Sequence, residues 1–461
     1  MSFRLEPVAI TCATLYVLLI GWAMAFLSYD VWGALVVAPV MVVITVPVVR
    51  SIFSGEHSDI YPFAVAGLVL KFGGSALRYA INYQSYGGLA DSGVYHDFAR
   101  NLAGAIHDGT ASPFEAIPRA IGTQFINQLT TLVYTLFGSS QLAGFFIFGW
   151  MAYWGVVLFV RAALVAVPGL AKKRYAALLF FSPTLLYWPS SLGKEAWILL
   201  CLGLGSYGCA LLLVGRWNWW SFFITVVGIT GAGFARPHFA AIWTGALVVA
   251  LIVGLFTGSA GGALKSRFTV LFFVVLALSG LSVVATITTK FLKPPSTDGA
   301  TAGNSTSNNI TAIFNEANRR TEGGKSKFDT IAIHGPQDWP YAIWRTLTRP
   351  MLYEARNLAA FLPAVEMTFL LLLALFSWRR VANLPRLLTK TSYLVFALVI
   401  LMMFGLAFSV IGNLGILTRQ RSLIMPMFLL LLCVPQLPDR SASRPTALTT
   451  RDLAVAGNAD G

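Results

Sequence analysis

Two stretches of the chain carry residue types at spacings that can do chemistry. In Asp91-Ser-Gly-Val-Tyr-His-Asp97, two carboxylates flank a tyrosine and a histidine at the start of an amphipathic pattern. A carboxylate so placed can take a proton from a hydroxyl or help to hold a divalent cation such as Mg2+ or Mn2+. It can equally cap the helix that follows, with His96, Asp97 and Arg100 as that helix's wetted face. In Ser182-Pro-Thr-Leu-Leu-Tyr-Trp-Pro-Ser-Ser-Leu-Gly-Lys-Glu195, a proline-broken polar hinge sets the Lys194-Glu195 pair between two apolar runs. A lysine there can bind phosphate, which a helix N-terminus also attracts, and Glu195 can hold the lysine in place or serve as acid or base. The alternative is a lysine that snorkels to a membrane interface.

Further charges punctuate the apolar runs. Arg236-Pro237-His238 separates two of them, Arg349-Pro350 precedes Glu354, Arg356 and Asn357, and Arg419 with Arg421 opens the last. Each alone reads as an interfacial anchor. Together they form a basic ring suited to an anionic lipid-linked ligand: Lys194, Arg236, His238, Arg419 and Arg421 are the phosphate-binding candidates, with Arg349, Glu354, Asn357 and Glu366 in support. Glu366, inside an apolar helix, must find a partner or stay protonated. No zinc pattern, nucleophile elbow, dinucleotide fingerprint or nucleic-acid motif is present.

The elements that must position these residues are membrane helices. Of 461 residues, 56% are hydrophobic and 11% charged. The apolar residues come in runs of about 20, enough for a helix to cross a hydrocarbon core of about 30 Å. Candidate spans are 8–27, 31–49, 60–80, 120–137, 141–167, 175–188, 196–214, 219–234, 239–257, 268–289, 359–377, 391–411 and 423–434. The run 120–137 carries Gln124, Asn127, Gln128, Thr130 and Thr131 and is the weakest; read as re-entrant or interfacial, it leaves about twelve spans. The fold class is therefore all-α, a polytopic transmembrane helix bundle over residues 1–437, followed by a disordered cytoplasmic tail, 438–461.

Sidedness follows from the basic clusters. The formal net charge of +14 sits mostly in short groups beside apolar runs, at Lys172-Lys173-Arg174, Arg216, Lys265 with Arg267, Arg379 to Lys390 and the tail. Membrane topology and anionic lipid account for that pattern, and nucleic acid does not. These groups mark the cytoplasmic face of a plasma-membrane protein with both termini inside. The loops 82–119 and 291–350, with the Lys194, Arg236 and Arg419 segments, fall outside. Residues 91–109 predict an amphipathic helix along the membrane surface, capped by Asp91 or Ser92, with Val94, Phe98, Leu102, Ala105 and Ile106 on one face. The cysteines at 12, 201, 209 and 433 read as small core residues.

Several segments together resemble a known group. Gly87-Gly88…Asp91…Tyr95-His96, Gly122-Thr123-Gln124-Phe125-Ile126, Ser182-Pro183…Trp188-Pro189-Ser190-Ser191…Gly193-Lys194-Glu195-Ala196, Ala235-Arg236-Pro237-His238, Arg349-Pro350…Glu354…Asn357 and Leu417-Thr418-Arg419-Gln420-Arg421 recur in this order in a group of uncharacterised actinobacterial polytopic membrane proteins. That group looks similar to the GT-C superfamily of membrane glycosyltransferases and to O-antigen-polymerase-like proteins. The resemblance implies a polyprenyl-phosphate-linked sugar donor, a glycan or lipid acceptor, and a role in cell-envelope polysaccharide or glycolipid synthesis. It also implies an acidic catalytic residue in an external loop, a role that falls to Asp91, with Asp97 second. The six-residue spacing of Asp91 and Asp97 departs from the superfamily's compact acidic pair. A transporter or flippase of lipid-linked glycans would use the same basic groups without bond-making.

Overall fold

The structure is a computed structural model and describes residues 5–88, 90–258, 335–355 and 358–436. The expected span 268–289, Asn357 and the tail 438–461 lie outside the described residues. Among the described residues the chain is all helix, with no strand. The N-terminal part runs α1 (Leu5–Phe26), α2 (Tyr29–Ile52), α3 (Tyr61–Tyr86), α4 (Asp91–His107), α5 (Thr123–Phe137) and α6 (Gln141–Ala166). Then come α7 (Lys172–Phe181), α8 (Pro183–Tyr187), α9 (Lys194–Leu213), α10 (Trp219–Ala235) and α11 (Pro237–Thr257). The C-terminal part contains α12 (Trp339–Thr348), α13 (Leu358–Phe376), α14 (Trp378–Val381), α15 (Leu384–Leu388), α16 (Ser392–Ala407), α17 (Leu414–Arg421) and α18 (Met425–Leu431).

Five helical segments among the described residues are long and apolar enough to cross a membrane: α2, Gly55–Gln84 around α3, α6, α9 and α11. Two bent pairs raise the number to as many as seven, Ala360–Phe376 with Trp378–Leu388 at 75° and Leu414–Arg421 with Met425–Leu431 at 65°. Helix α5, 15 residues long and dotted with amides and hydroxyls, is not among them. The expected span 175–188 is broken in two, because Pro183 cannot donate an amide to the preceding turn and starts a new helix at its first position.

The centre of the bundle is α6, α9 and α10, packed nearly backbone to backbone. A Cβ on Gly203 of α9 would lie 2.3 Å from the carbonyl oxygen of Gly155 in α6, and one on Gly228 of α10 would lie 2.1 Å from the amide nitrogen of Gly205. Small residues at such crossings let dispersion contacts hold helices together where the surroundings are as apolar as the side chains. Two buried polar groups of the core are paired across helices: Trp243 Nε1 donates to Ser206 at 2.9 Å and Tyr153 donates to the Ala64 carbonyl at 3.1 Å.

At one end of the bundle Lys172 meets Asp59 at 3.1 Å, Arg161 donates to the Ile52 carbonyl at 3.2 Å, and Arg380 donates to the Val434 carbonyl at 2.6 Å. Helix α9, about 30 Å long, runs from there to the opposite end, where Glu195 sits.

Candidate functional site

Glu195 is the hub of the second end. It occupies the second position of α9 and is 1% exposed, between two guanidiniums. Arg236, at the joint of α10 and α11, donates from Nη2 to Oε1 at 2.8 Å. Arg419 of α17 donates from Nε to Oε1 at 2.7 Å and from Nη2 to Oε2 at 2.8 Å, a two-pronged grip. Its remaining prong, Nη1, reaches Asp91 Oδ2 at 2.9 Å. Arg419 therefore ties a buried carboxylate to an exposed one, the Asp91 side chain being 61% exposed. Gln420 accepts from Arg236, and Lys194 donates to Thr123 Oγ1 at 2.9 Å.

Local structure explains how residues so far apart in sequence meet. Gly122 adopts φ +77°, open to glycine without steric cost, and donates to the Phe234 carbonyl at 2.7 Å. That bond ties the start of α5 to the end of α10 and sets Thr123 beside Lys194. Asn413 caps α17 by accepting from Gly415 and Ile416. Successive residues turn about 100° around a helix axis, so Arg419 and Arg421 leave α17 on opposite sides. Arg419 goes to Glu195, whereas Arg421, 2% exposed, donates to the backbone carbonyls of Leu347 and Arg349 at the end of α12. Arg421 is thus a buried clamp outside the Glu195 cluster.

The other expected site residues fall as follows. Asp91 does not cap α4: the N-cap is Ala90 without a side-chain bond, and Ser92 pairs with Asn82 at 3.1 Å. The expected apolar face of α4 is also revised. Tyr95, His96, Ala99, Ala103 and Ile106 are buried against the bundle, while Val94 and Phe98 are exposed. Asp97 and Arg100 lie on the exposed side as expected, and His96 does not. Arg349 pairs with Glu354 at 2.6 Å, away from Glu195's partners. His238 packs against Phe239 and Phe408, its Nε2 buried without a hydrogen bond.

Glu366 finds the partners that its burial demands. Its carboxylate accepts from the Ser182 hydroxyl, and from the Thr184 amide at 3.0 Å and the Thr184 hydroxyl. It thereby caps α8 from another helix, with three donors satisfying its two oxygens. Two residues that sequence reasoning passed over grip the same hinge. Lys71 of α3, 3% exposed, donates to the Leu185 carbonyl at 2.7 Å, and Arg78 donates to the Tyr187 hydroxyl at 2.7 Å while lying 5.0 Å from the Trp188 ring centre. Lys71, Ser75, Arg78 and Asn82 repeat at helical spacing along one face of a hydrophobic run, a signal visible in the sequence. Gly74 completes the contact, since a Cβ there would lie 2.3 Å from the Leu186 carbonyl oxygen.

Two groups on α4 have shifted acidities. Burial, and then the negative fields of Asp91 and Glu195, push the Tyr95 phenol up, so it stays a neutral donor beside the cluster. His96 shares a 2.7 Å hydrogen bond with Tyr134; burial pushes its imidazole down, against the pull of Asp30 and Asp97 and with that of Arg100. Because the unfolded ring protonates first, near 6.5, His96 should make stability greatest above that value. Stability then falls as pH drops through it, and the fall levels off once the folded ring also protonates. A thermal midpoint recorded against pH in detergent should show this acid-side slope, and His96→Gln should flatten it; an unchanged slope contradicts the assignment.

The donor set does not fit a divalent cation. Glu195 is compensated by two guanidiniums and Asp91 by one, and no three His, Cys, Asp or Glu side chains converge among the described residues. No family model, curated protein or solved structure matches the chain.

Proposed function

We propose that this chain is a membrane glycosyltransferase or glycan polymerase of the GT-C kind. In this reading it uses a polyprenyl-phosphate-linked sugar at the outer face of the plasma membrane to build a cell-envelope polysaccharide or glycolipid. The observation that carries the reading is the convergence of Asp91, Glu195, Arg236 and Arg419 from four distant segments into one network, with Lys194 next to Glu195 on α9, at the end of the bundle remote from the basic clusters.

The roles follow from what each group has left to offer. Glu195, fully buried and bonded at both oxygens, is an anchor rather than an acid or base. Arg236 is spent on Glu195 and Gln420. Among the described residues Lys194 bonds to a hydroxyl, that of Thr123, which leaves it able to meet the phosphate of a carrier lipid and to stabilise the charge that builds there as the sugar departs. Asp91 has Oδ2 fixed by Arg419, and its other oxygen can accept the proton of an acceptor hydroxyl. The bundle has about twelve crossings with both termini in the cytoplasm. In this count the five to seven spans above are joined by α1, α10, α16, the α7–α8 pair and the span expected from sequence at 268–289, which lies outside the described residues.

A second reading, movement of a lipid-linked glycan without bond-making, draws on the broken helix α7–α8. Buried Lys71 and Glu366 grip an interrupted helix, a feature shared with transport proteins. Purified protein in vesicles loaded with a radiolabelled polyprenyl-phosphate sugar and an acceptor extract separates the two. Label in a new covalent product supports transfer; label that crosses the bilayer only as intact lipid supports movement and refutes transfer.

A further inference from the structure

The basic end of the bundle holds a feature that the sugar-transfer reading does not use. The turn 433–435 is clasped there by two elements. The Ala171 amide donates to the Cys433 carbonyl at 3.0 Å, Arg380 Nη1 to the Val434 carbonyl at 2.6 Å, and Asn383 Nδ2 to the Pro435 carbonyl at 3.1 Å. Arg174, three residues after Ala171 on α7, and Arg380 of α14 are thereby both brought to this turn, around the buried Cys433. The donors they have left are unfilled: Arg174 Nε and Nη2 and Arg380 Nε are buried without a hydrogen-bond partner. Guanidinium N–H groups removed from water and left unpaired are costly, and two positive charges brought to one turn add to the cost.

A separate observation points the same way. Helix α7 opens on Lys172, Lys173 and Arg174 and has no acidic residue in its first turn, although a helix N-terminus is already the positive end of the backbone dipole. Asp59 answers Lys172 at 3.1 Å and Lys173 at 3.8 Å. Arg174 has no carboxylate partner among the described residues. Unfilled buried donors, like charges brought to one turn and an adverse dipole are all relieved by one multivalent anion.

We propose that Arg174 and Arg380 together bind a phosphate group at the end of the bundle opposite Glu195. A phosphate offers several acceptor oxygens to two planar forks, and its charge offsets both. The group is supplied either by the head of an anionic phospholipid, since basic pockets between helices at the cytoplasmic side suit such heads, or by free phosphate. This site is independent of the sugar-transfer reading, and either can fail alone.

The test is the thermal midpoint of the purified full-length protein in nanodiscs. Neutral phosphatidylcholine discs are compared with discs containing phosphatidylglycerol, and with neutral discs given inorganic phosphate against chloride at matched ionic strength. The wild type should gain about 2 to 4 °C when the site fills, and Arg174→Gln with Arg380→Gln should abolish the gain. Lys173→Gln, a change at a largely exposed neighbour, should keep it. A gain with phosphatidylglycerol alone assigns the phosphate to lipid; a gain with inorganic phosphate as well assigns it to either source. An equal gain in the wild type and the double variant overturns the proposal, as does no gain in the wild type. Should the glutamine pair fail to fold, Arg174→Lys with Arg380→Lys keeps the charges and removes the forks, and must shrink the gain; an undiminished gain also overturns the site.

Discussion

Glu195→Gln should destabilise the protein by about 3 to 5 kcal/mol, the cost of leaving buried charge uncompensated. The carboxylate is 1% exposed and the guanidiniums of Arg236 and Arg419 are 15% and 24% exposed, so water can replace it only in part. Glutamine keeps the volume but offers one acceptor oxygen and an amide that would face guanidinium donors. Three helices, α9, α10 and α17, lose their common tie, and the end of the bundle should open. Thermal unfolding in detergent checks this. A change within about 0.5 kcal/mol, the range of ordinary surface substitutions, would show that Glu195 is not the anchor.

Asp91→Asn should leave the fold nearly intact and lower sugar transfer by about 10²- to 10⁴-fold, the usual span for loss of a general base. Asparagine keeps the size and an oxygen for Arg419. The Asp91 and Arg419 contact is also open to solvent on the aspartate side, where ion pairs contribute about 0 to 1 kcal/mol. Asp97→Asn should do far less. Six residues along a helix are about 600° of rotation, so Asp97 leaves α4 on another side from Asp91 and lies exposed. Transfer rates and thermal midpoints measured on the same preparations separate the two effects.

Helix class and most helix positions were legible in the sequence because a 20-residue apolar run has few other uses. Apart from Asp91, the charged residues of the Glu195 cluster were legible for the same reason, each punctuating such runs. Their partners were not. Nothing local tells that Arg419 turns toward Glu195 while Arg421 turns toward the α12 carbonyls, because that depends on where a short, capped helix lies against its neighbours. The face of α4 was misread because hydrophobicity alone ranks Val94 and Phe98 above Tyr95, His96 and Ala99. The buried face is instead set by small residues that admit α5 and by polar groups whose partners, Tyr134 and Asn82, lie on other helices. Asp91 carries a cap-forming residue type, and a guanidinium more than three hundred positions away outbids the local amides for it.

The most direct measurement is the yield of covalent product from a radiolabelled polyprenyl-phosphate sugar by purified protein in vesicles, wild type against Asp91→Asn at equal folded amounts. The account predicts product from the wild type and a loss of about two to four orders of magnitude in the variant. Product formed equally by both would remove Asp91 from the chemistry, and no product from the folded wild type with competent donor and acceptor would contradict the assignment of sugar transfer to this chain.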